Sequence, residues 1–409
     1  MAATTGYQTR VFDDAARRLG FDLVLATDRC HVLDDPWGDR AVPVRFEDPY
    51  ASRGVLAASG PFDAVLAVGD RPTLLASLAA EALGIPHNSP ASVAACHDKY
   101  VARQRFQAAG LQVPEFFRVP LDRDPAETAR RATYPCVLKP LGLSASRGVI
   151  RADDPAEFVA AFARIRAILE STDVLMLQEE QNRYIQVERF IEGREFALEG
   201  LLTGGKLQVL AIFDKPDPLD GPFFEETIYV TPSRAGRATE QVLIAGVETA
   251  VRALGLSHGP IHAELRFNPA GAWVLEVAAR PIGGLCARAL RFDGGMPLEE
   301  LILRHAVGED ASGAQRSDPA SGVMMIPIPK GGVYQGVEGM DQAAVVPNVE
   351  EVIITAKEGQ KILPLPEGAS YLGFIFAYGG TPECVEDALR DAHMCLRFEI
   401  ATALPMVRR

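Results

Sequence analysis

No two cysteines in this 409-residue chain stand at CxxC spacing; the six (Cys30, Cys96, Cys136, Cys286, Cys384, Cys395) are scattered. That argues against a locally encoded zinc ribbon or redox dithiol and suits reduced thiols in a cytoplasm. Lysine and arginine number 41 against 54 acids, leaving a net charge of −13 and no dense basic stripe. A nucleic-acid partner is therefore not expected, although a few placed cations suffice for a small anionic ligand. No apolar run is long enough to span a bilayer and no secretory leader opens the chain, so a cytoplasmic protein without membrane contact is expected. No GxGxxG follows a strand and no GK[ST] closes a glycine loop, which argues against the dinucleotide fingerprint and the Walker A loop.

What is present reads as a multidomain globular protein, 48% apolar and 23% charged. Up to residue 98 the pattern alternates helix (11–19), strand (21–27), strand (63–68) and helix (72–83), the wording of a parallel α/β layer. The opening MAATTGYQTR is odd, because such a unit normally starts with a buried strand. Either 1–5 is a short edge strand or the native chain begins upstream. One helix is expected over 89–110, with Lys99 on it. Residues 112–196 predict a small α/β unit with helices at 125–132 and 155–169 and strands near 175–179 and 185–190. Within it YPCVLKP places Lys139 at the end of an apolar strand, an expensive place for a charge unless an anion meets it. GLSASRG follows, a loop whose N–H groups can wrap a phosphate or simply join two strands. VERFIEGREF (187–196) reads either as a charged hairpin or as the edge between two subdomains, whose backbone can serve a flat ring. After 309–322, which has the composition of a linker, a glycine-punctuated, strand-rich region ends the chain, with one helix over 382–396.

The most informative stretch is 258–284, HGPIHAELRFNPAGAWVLEVAARPIGG. A hairpin centred on Ala270 pairs Phe267 with Trp273, Leu265 with Leu275 and Ala263 with Val277 on one apolar face. The other face sets Glu264 opposite Glu276, with His262, Ala278 and Arg280 beyond. Facing carboxylates across a sheet repel, their Cβ atoms roughly 4.5–5.5 Å apart. Such a pair is either a solvated strand face or a cation site, and oxygen-only donors suit Mg²⁺.

Taken in order, Lys99, Lys139 before its Gly/Ser loop, VERFIEGREF, HAELRF and VLEVAARP resemble the ATP-grasp superfamily of carboxylate–amine ligases. EVAARPIGG, the DKP…GPFFEE loop and the C-terminal region resemble its dipeptide-forming L-amino-acid ligases. The resemblance implies an α/β ATP-grasp fold with an N-terminal parallel α/β domain (1–98), a small lid subdomain (99–196), a large subdomain with the metal site (197–310) and a strand-rich C-terminal cap (311–409). It implies that Lys99 and Lys139 hold ATP phosphates and that Gly142, Ser144, Ser146 and Gly148 belong to the loop closing over them. Glu188 would accept from the adenine amine, Arg189 and Ile191 would offer backbone atoms, and Glu195 would hold ribose hydroxyls. Glu264 and Glu276 would carry Mg²⁺, with Mn²⁺ the alternative, and Arg280 would steady the transferring phosphoryl group. Ala278 stands where many relatives have an asparagine that is often a third metal ligand.

The chemistry follows. A carboxylate must first attack the γ-phosphate of ATP, which needs alignment and cations on the spreading charge. The acyl-phosphate is then attacked by an amine, and water must be kept out. Glu225, Glu226 and His262 are candidates to bind or deprotonate that amine. The expected substrates are small-molecule carboxylates and amines, two amino acids or an amino acid and an amine, in a protein whose commonest assembly would be a homodimer. The alternatives are an ATP-grasp ligase acting on another substrate or in natural-product assembly, and a non-catalytic ATP-binding protein. A biotin-dependent carboxylase ranks lower, since its bicarbonate machinery is not evident.

Overall fold

The computed structural model describes residues 1–4, 6–28, 37 and 40–402. The chain weaves between two units. The first comprises Met1–Val113, Ala197–Ile212 and Arg237–Ser317; the second comprises Pro114–Phe196, Phe213–Gly236 and Asp318–Arg409. Among the described residues no helix is long and apolar enough to cross a membrane. The first unit opens with a parallel sheet in the order Ala41–Pro43, Leu25–Thr27, Ala2–Ala3, Ala67–Val68. Helix Pro72–Leu83 has the predicted bounds and packs on it. Ala2–Ala3 is not the edge strand expected: it pairs on both sides, and its two small side chains are buried. The 89–110 segment is two helices, Pro90–His97 and Lys99–Ala108. Asp98 breaks it by taking extended backbone and accepting from the N–H groups of Tyr100 and Val101 at 2.9 and 3.0 Å. An aspartate caps better than it continues a helix. Lys99 thereby becomes the first residue of the second helix.

In the second unit, an antiparallel sheet in the order Phe116–Pro120, Tyr184–Arg189, Cys136–Pro140, Ile150–Ala152 carries helix Pro155–Leu169. The helix starts where Asp154 accepts from Ala156 and Glu157 N–H and Pro155 needs no partner. Phe158, Phe162 and Ile165 fill the space against Leu138 and Ile185. The strand expected near 175–179 is absent; helix Thr172–Leu175 and a short turn of helix, Glu180–Arg183, occupy the region. That run is apolar without alternation, and Leu175 and Met176 face solvent. Residues 187–196 are a crossover and not a hairpin, since Tyr184–Arg189 and Arg194–Thr203 belong to different sheets. The C-terminal part sets Ile228–Thr231, Ala320–Ile326, Gly373–Gly379 and Val349–Ile354 side by side, with helix Pro382–Cys395 against them. Strand Ala320–Ile326 begins inside the stretch read as a linker. Its glycine is there for packing: a Cβ on Gly322 would lie 2.8 Å from both Tyr229 O and Val385 Cγ1.

The hairpin of the first unit decides the site. Strands Gly259–Asn268 and Gly271–Ala278 pair His262 with Ala278, Ala263 with Val277 and Glu264 with Glu276, as the sequence predicts. Nearer the turn the register differs: Leu265 faces Val274, Arg266 faces Trp273 and Phe267 faces Ala272, with the shift falling between Glu264 and Leu265. The turn is one residue shorter than expected, and Leu275 is the extra residue of a bulge. Without the bulge, this two-residue turn would move Glu276 off Glu264. Arg103, 2% exposed on helix Lys99–Ala108, holds the bulge by donating to Val274 O at 2.6 Å and Leu275 O at 3.3 Å. Arg103→Met keeps the apolar stem and strands those carbonyls. We expect a loss of about 2 kcal/mol, read as an earlier chemical-denaturation midpoint, with faster amide exchange confined to 263–277.

Candidate active site

In the first unit the facing acids are surrounded by cations. Lys99 Nζ lies 3.4 Å from Glu276 Oε2. His262 Nε2 lies 3.3 Å from Glu264 Oε1, while its Nδ1 hydrogen-bonds Glu199, a carboxylate 1% exposed in strand Arg194–Thr203. Burial lowers the His262 pKa, but the charges and hydrogen bonds of Glu199 and Glu264 outweigh it and raise it to about 9. The ring is then an imidazolium donating to both acids. Glu199 also accepts from Ile282 N–H at 3.1 Å, tying the end of the ARPIGG segment to the same carboxylate.

Arg280 is not left to solvent. Its Nε and NH2 donate to the two carboxylate oxygens of Asp70 at 2.7 and 3.0 Å, and NH1 donates to Pro281 O at 3.0 Å. Burial pushes the Asp70 carboxyl up and the Arg280 guanidinium down. The bidentate pairing reverses both, holding Asp70 at about 2 and Arg280 above its ordinary value, with Glu276 and Glu199 adding to the arginine's field. The structure therefore gathers Lys99, His262, Glu264, Glu276 and Arg280 into one charged group. Sequence reasoning missed Asp70 and Glu199. Glu199 was legible as the lone acid in FALEGLL, where period two buries it; Asp70 had no local signal.

The remaining candidates belong to the second unit. Half-buried Lys139 pairs with buried Glu188 at 2.5 Å, and Gln186 donates to the other oxygen of Glu188 at 2.6 Å. Register explains it: Lys139 faces Gln186 and Val137 faces Glu188 across adjacent strands. The 142–148 loop joins Cys136–Pro140 to Ile150–Ala152 and turns through left-handed backbone at Ala145 (φ 54°), Ser146 (φ 53°) and Gly148 (φ 75°). Gly148 has no alternative, since a Cβ there would also meet Pro140 Cγ at 2.7 Å. Non-glycine residues in this region are strained, and such strain clusters at ligand clamps.

Glu195 is held by Lys215, 2.9 Å from its Oε1, and Lys215 also binds Glu226, whose second oxygen accepts from Tyr229 at 2.7 Å. Lys215 is buried, and with Glu195 it lines a cleft of about 800 Å³ that also takes in Phe190, Arg234 and Glu386. Sequence reasoning missed Lys215, although a lysine ending the apolar strand LAIFDKP repeats the Lys139 signal. Arg189 is exposed, Ile191 buried, and burial raises the Glu225 carboxyl above its usual range.

Comparison with known proteins identifies relatives of the chain as a whole. Residues 132–289 match the ATP-grasp domain, 12–87 the ATP-grasp N-terminal domain and 324–401 the L-amino acid ligase C-terminal domain 2. The crystal structure of an L-amino acid ligase from Bacillus licheniformis superposes with a TM-score of 0.79 at 27% identity, covering 98% of each chain. An uncharacterized protein of Sinorhizobium fredii, y4rH, is 25% identical over 75% of this chain and 62% of its own length. The alanine–anticapsin ligase of Bacillus subtilis is 25% identical over 55% of this chain and 50% of its own. The chain thus spans between half and two-thirds the length of these curated relatives. It belongs to the ATP-grasp superfamily and has the domain make-up of its L-amino-acid ligases.

Proposed function

We propose that this chain is an ATP- and Mg²⁺-dependent ligase that activates an amino-acid carboxylate as an acyl-phosphate and couples it to the amine of a second amino acid or small amine, releasing ADP and phosphate. The observation that carries the reading is Glu264 opposite Glu276 beside Lys99, His262 and Arg280. Like charges in register are costly, and here they stand within a ring of cations. Their oxygens fit a hard divalent ion, which when bound would neutralise charge developing on the phosphates. The whole-chain likeness to an L-amino acid ligase and the alanine-joining relative support an amino acid as one substrate.

Each residue then has a role that its surroundings permit. Lys139 offers positive charge to a triphosphate from a pair in which Glu188 already balances it, so desolvating the lysine costs less. The 142–148 loop and Lys99 bind phosphate, while Arg189, Ile191 and Glu195 serve the nucleoside. Arg280, held rigid by Asp70, meets the phosphoryl group as it transfers, and a preoriented guanidinium needs no reorganisation at that moment. Glu225 and Glu226 face the amine. Asp70 is a positioning residue. The domain boundaries at 98, 196 and 310 mark the N-terminal, lid, large and C-terminal parts of such an enzyme.

Purified protein given MgATP and pairs of amino acids should release ADP with a matching dipeptide mass; ADP without any peptide product would move the reading to another carboxylate or amine. Glu276→Gln should reduce ADP release at least a hundredfold while the circular dichroism spectrum and thermal transition stay in place, and an active variant would rule out the metal role. Asp70→Asn leaves a buried guanidinium uncompensated, with an expected stability loss of about 3 kcal/mol and a drop in kcat without a matching rise in the KM for ATP. The folded Asp70 pKa, about 2, lies below its ordinary value of 3.8. Its stabilisation is therefore complete above pH ~4 and lost as pH falls toward 2, and acid-denaturation curves of the Asn variant should lack that part of the slope.

A further inference from the structure

The exit of the 142–148 loop is fastened by the C-terminal part of the second unit. Gly148 N–H donates to Pro366 O at 2.9 Å, and Arg147 Nε donates to Glu367 O at 2.9 Å. The Glu367 side chain is itself gripped: Arg164 Nε and NH2 donate to its two oxygens at 2.5 and 2.9 Å. Arg164 stands on helix Pro155–Leu169, whose buried face packs under the strands that carry the loop. The strap 363–368 has a fixed shape of its own. Gly368 N–H donates to Pro364 O at 2.9 Å, and any Cβ at Gly368 would fall 1.9 Å from Leu363 O. Two carbonyls more than two hundred residues away in sequence are thus aimed at the last two residues of the loop.

We propose that Glu367 and its strap are a positioning element for the phosphate loop, setting nucleotide affinity without touching nucleotide; this rests on the ATP reading above. The physical reason is the backbone. Ala145 and Ser146 both hold left-handed conformations, which persist only where the surroundings over-determine them. A loop already bent to its binding shape saves the ordering cost that a free loop would incur on taking a triphosphate. Arg151, just beyond the loop, is fixed similarly, its N–H to Pro222 O at 2.9 Å and its NH1 to Asp220 O at 2.7 Å, so the loop's return strand is also tied to the 214–227 segment. The C-terminal part of the second unit thereby gains a part in the reaction.

The Arg164 and Glu367 side chains are 44% and 36% exposed, so their pair is worth at most about 1 kcal/mol, which is about fivefold in a binding constant. Glu367→Ala and Arg164→Ala should each raise the Kd for MgADP, measured by calorimetry, two- to fivefold. Each should also raise the KM for ATP in step, leave the KM for the amine unchanged, and speed amide exchange at 146–149 in nucleotide-free protein. The charge swap Arg164→Glu with Glu367→Arg should return both readouts to within twofold of wild type. Unchanged loop exchange and nucleotide affinity in both single variants would overturn the proposal. A lowered melting temperature with unchanged affinity would also overturn it, since that is all a merely structural pair predicts. Failure of the wild-type protein to bind MgADP would instead overturn the ATP reading, and the proposal with it; the exchange experiment, which uses no nucleotide, tells the two failures apart.

Discussion

Two carboxylates set face to face on neighbouring strands are an electrostatic debt that a fold settles locally or does not carry. In this chain the settlement organises the first unit. Lys99 reaches Glu276 because Asp98 ends one helix and starts another at that residue. His262 bridges Glu264 to Glu199, and Glu199 in turn fixes Ile282. Arg280 lies in the field of the same acids yet is held by Asp70, from the parallel layer at the N-terminus. Removing any one member leaves a charge facing low dielectric, so the group is more constrained than its pairwise contacts suggest.

The second unit solves a different problem, how to carry lysines away from solvent without leaving their charge uncompensated. Lys139 and Lys215 are both buried or nearly so, and each is neutralised by a carboxylate, Glu188 in one case, Glu195 and Glu226 in the other. The 142–148 loop holds left-handed backbone at Ala145 and Ser146, and its exit is hydrogen-bonded to the strap at 366–367. Both devices hold charge and shape ready in advance, which the proposed phosphoryl transfer would require.

Much of this was legible in the sequence, and the failures have physical causes. Helices Pro72–Leu83 and Pro155–Leu169 were readable to the residue, because a first-turn proline and apolar periodicity agree there. The acid pair was readable because the bulge at Leu275 restores, beyond the shorter turn, the register that a hairpin centred on Ala270 would have given. The tip itself was not readable: a bulge leaves no mark in local composition. The burial of Ala2–Ala3 between two strands was hidden too, since a two-residue strand has no pattern, and so was the division at Asp98, because a capping aspartate and a solvated one look alike in a line of letters. The partners of the legible residues were least visible. Asp70, Glu199 and Lys215 lie tens to hundreds of positions from what they hold, and only folding brings them near.

The bulge at Leu275 has one more consequence. It separates the hairpin into a distal half, whose pairing follows the Pro269–Ala270 turn, and a proximal half, whose pairing follows Arg103 and the strand beside it. The one-residue difference in turn length is taken up at this joint and does not reach the acids. A lineage, or an engineer, can therefore remodel that end of the hairpin while Glu264 and Glu276 keep their alignment.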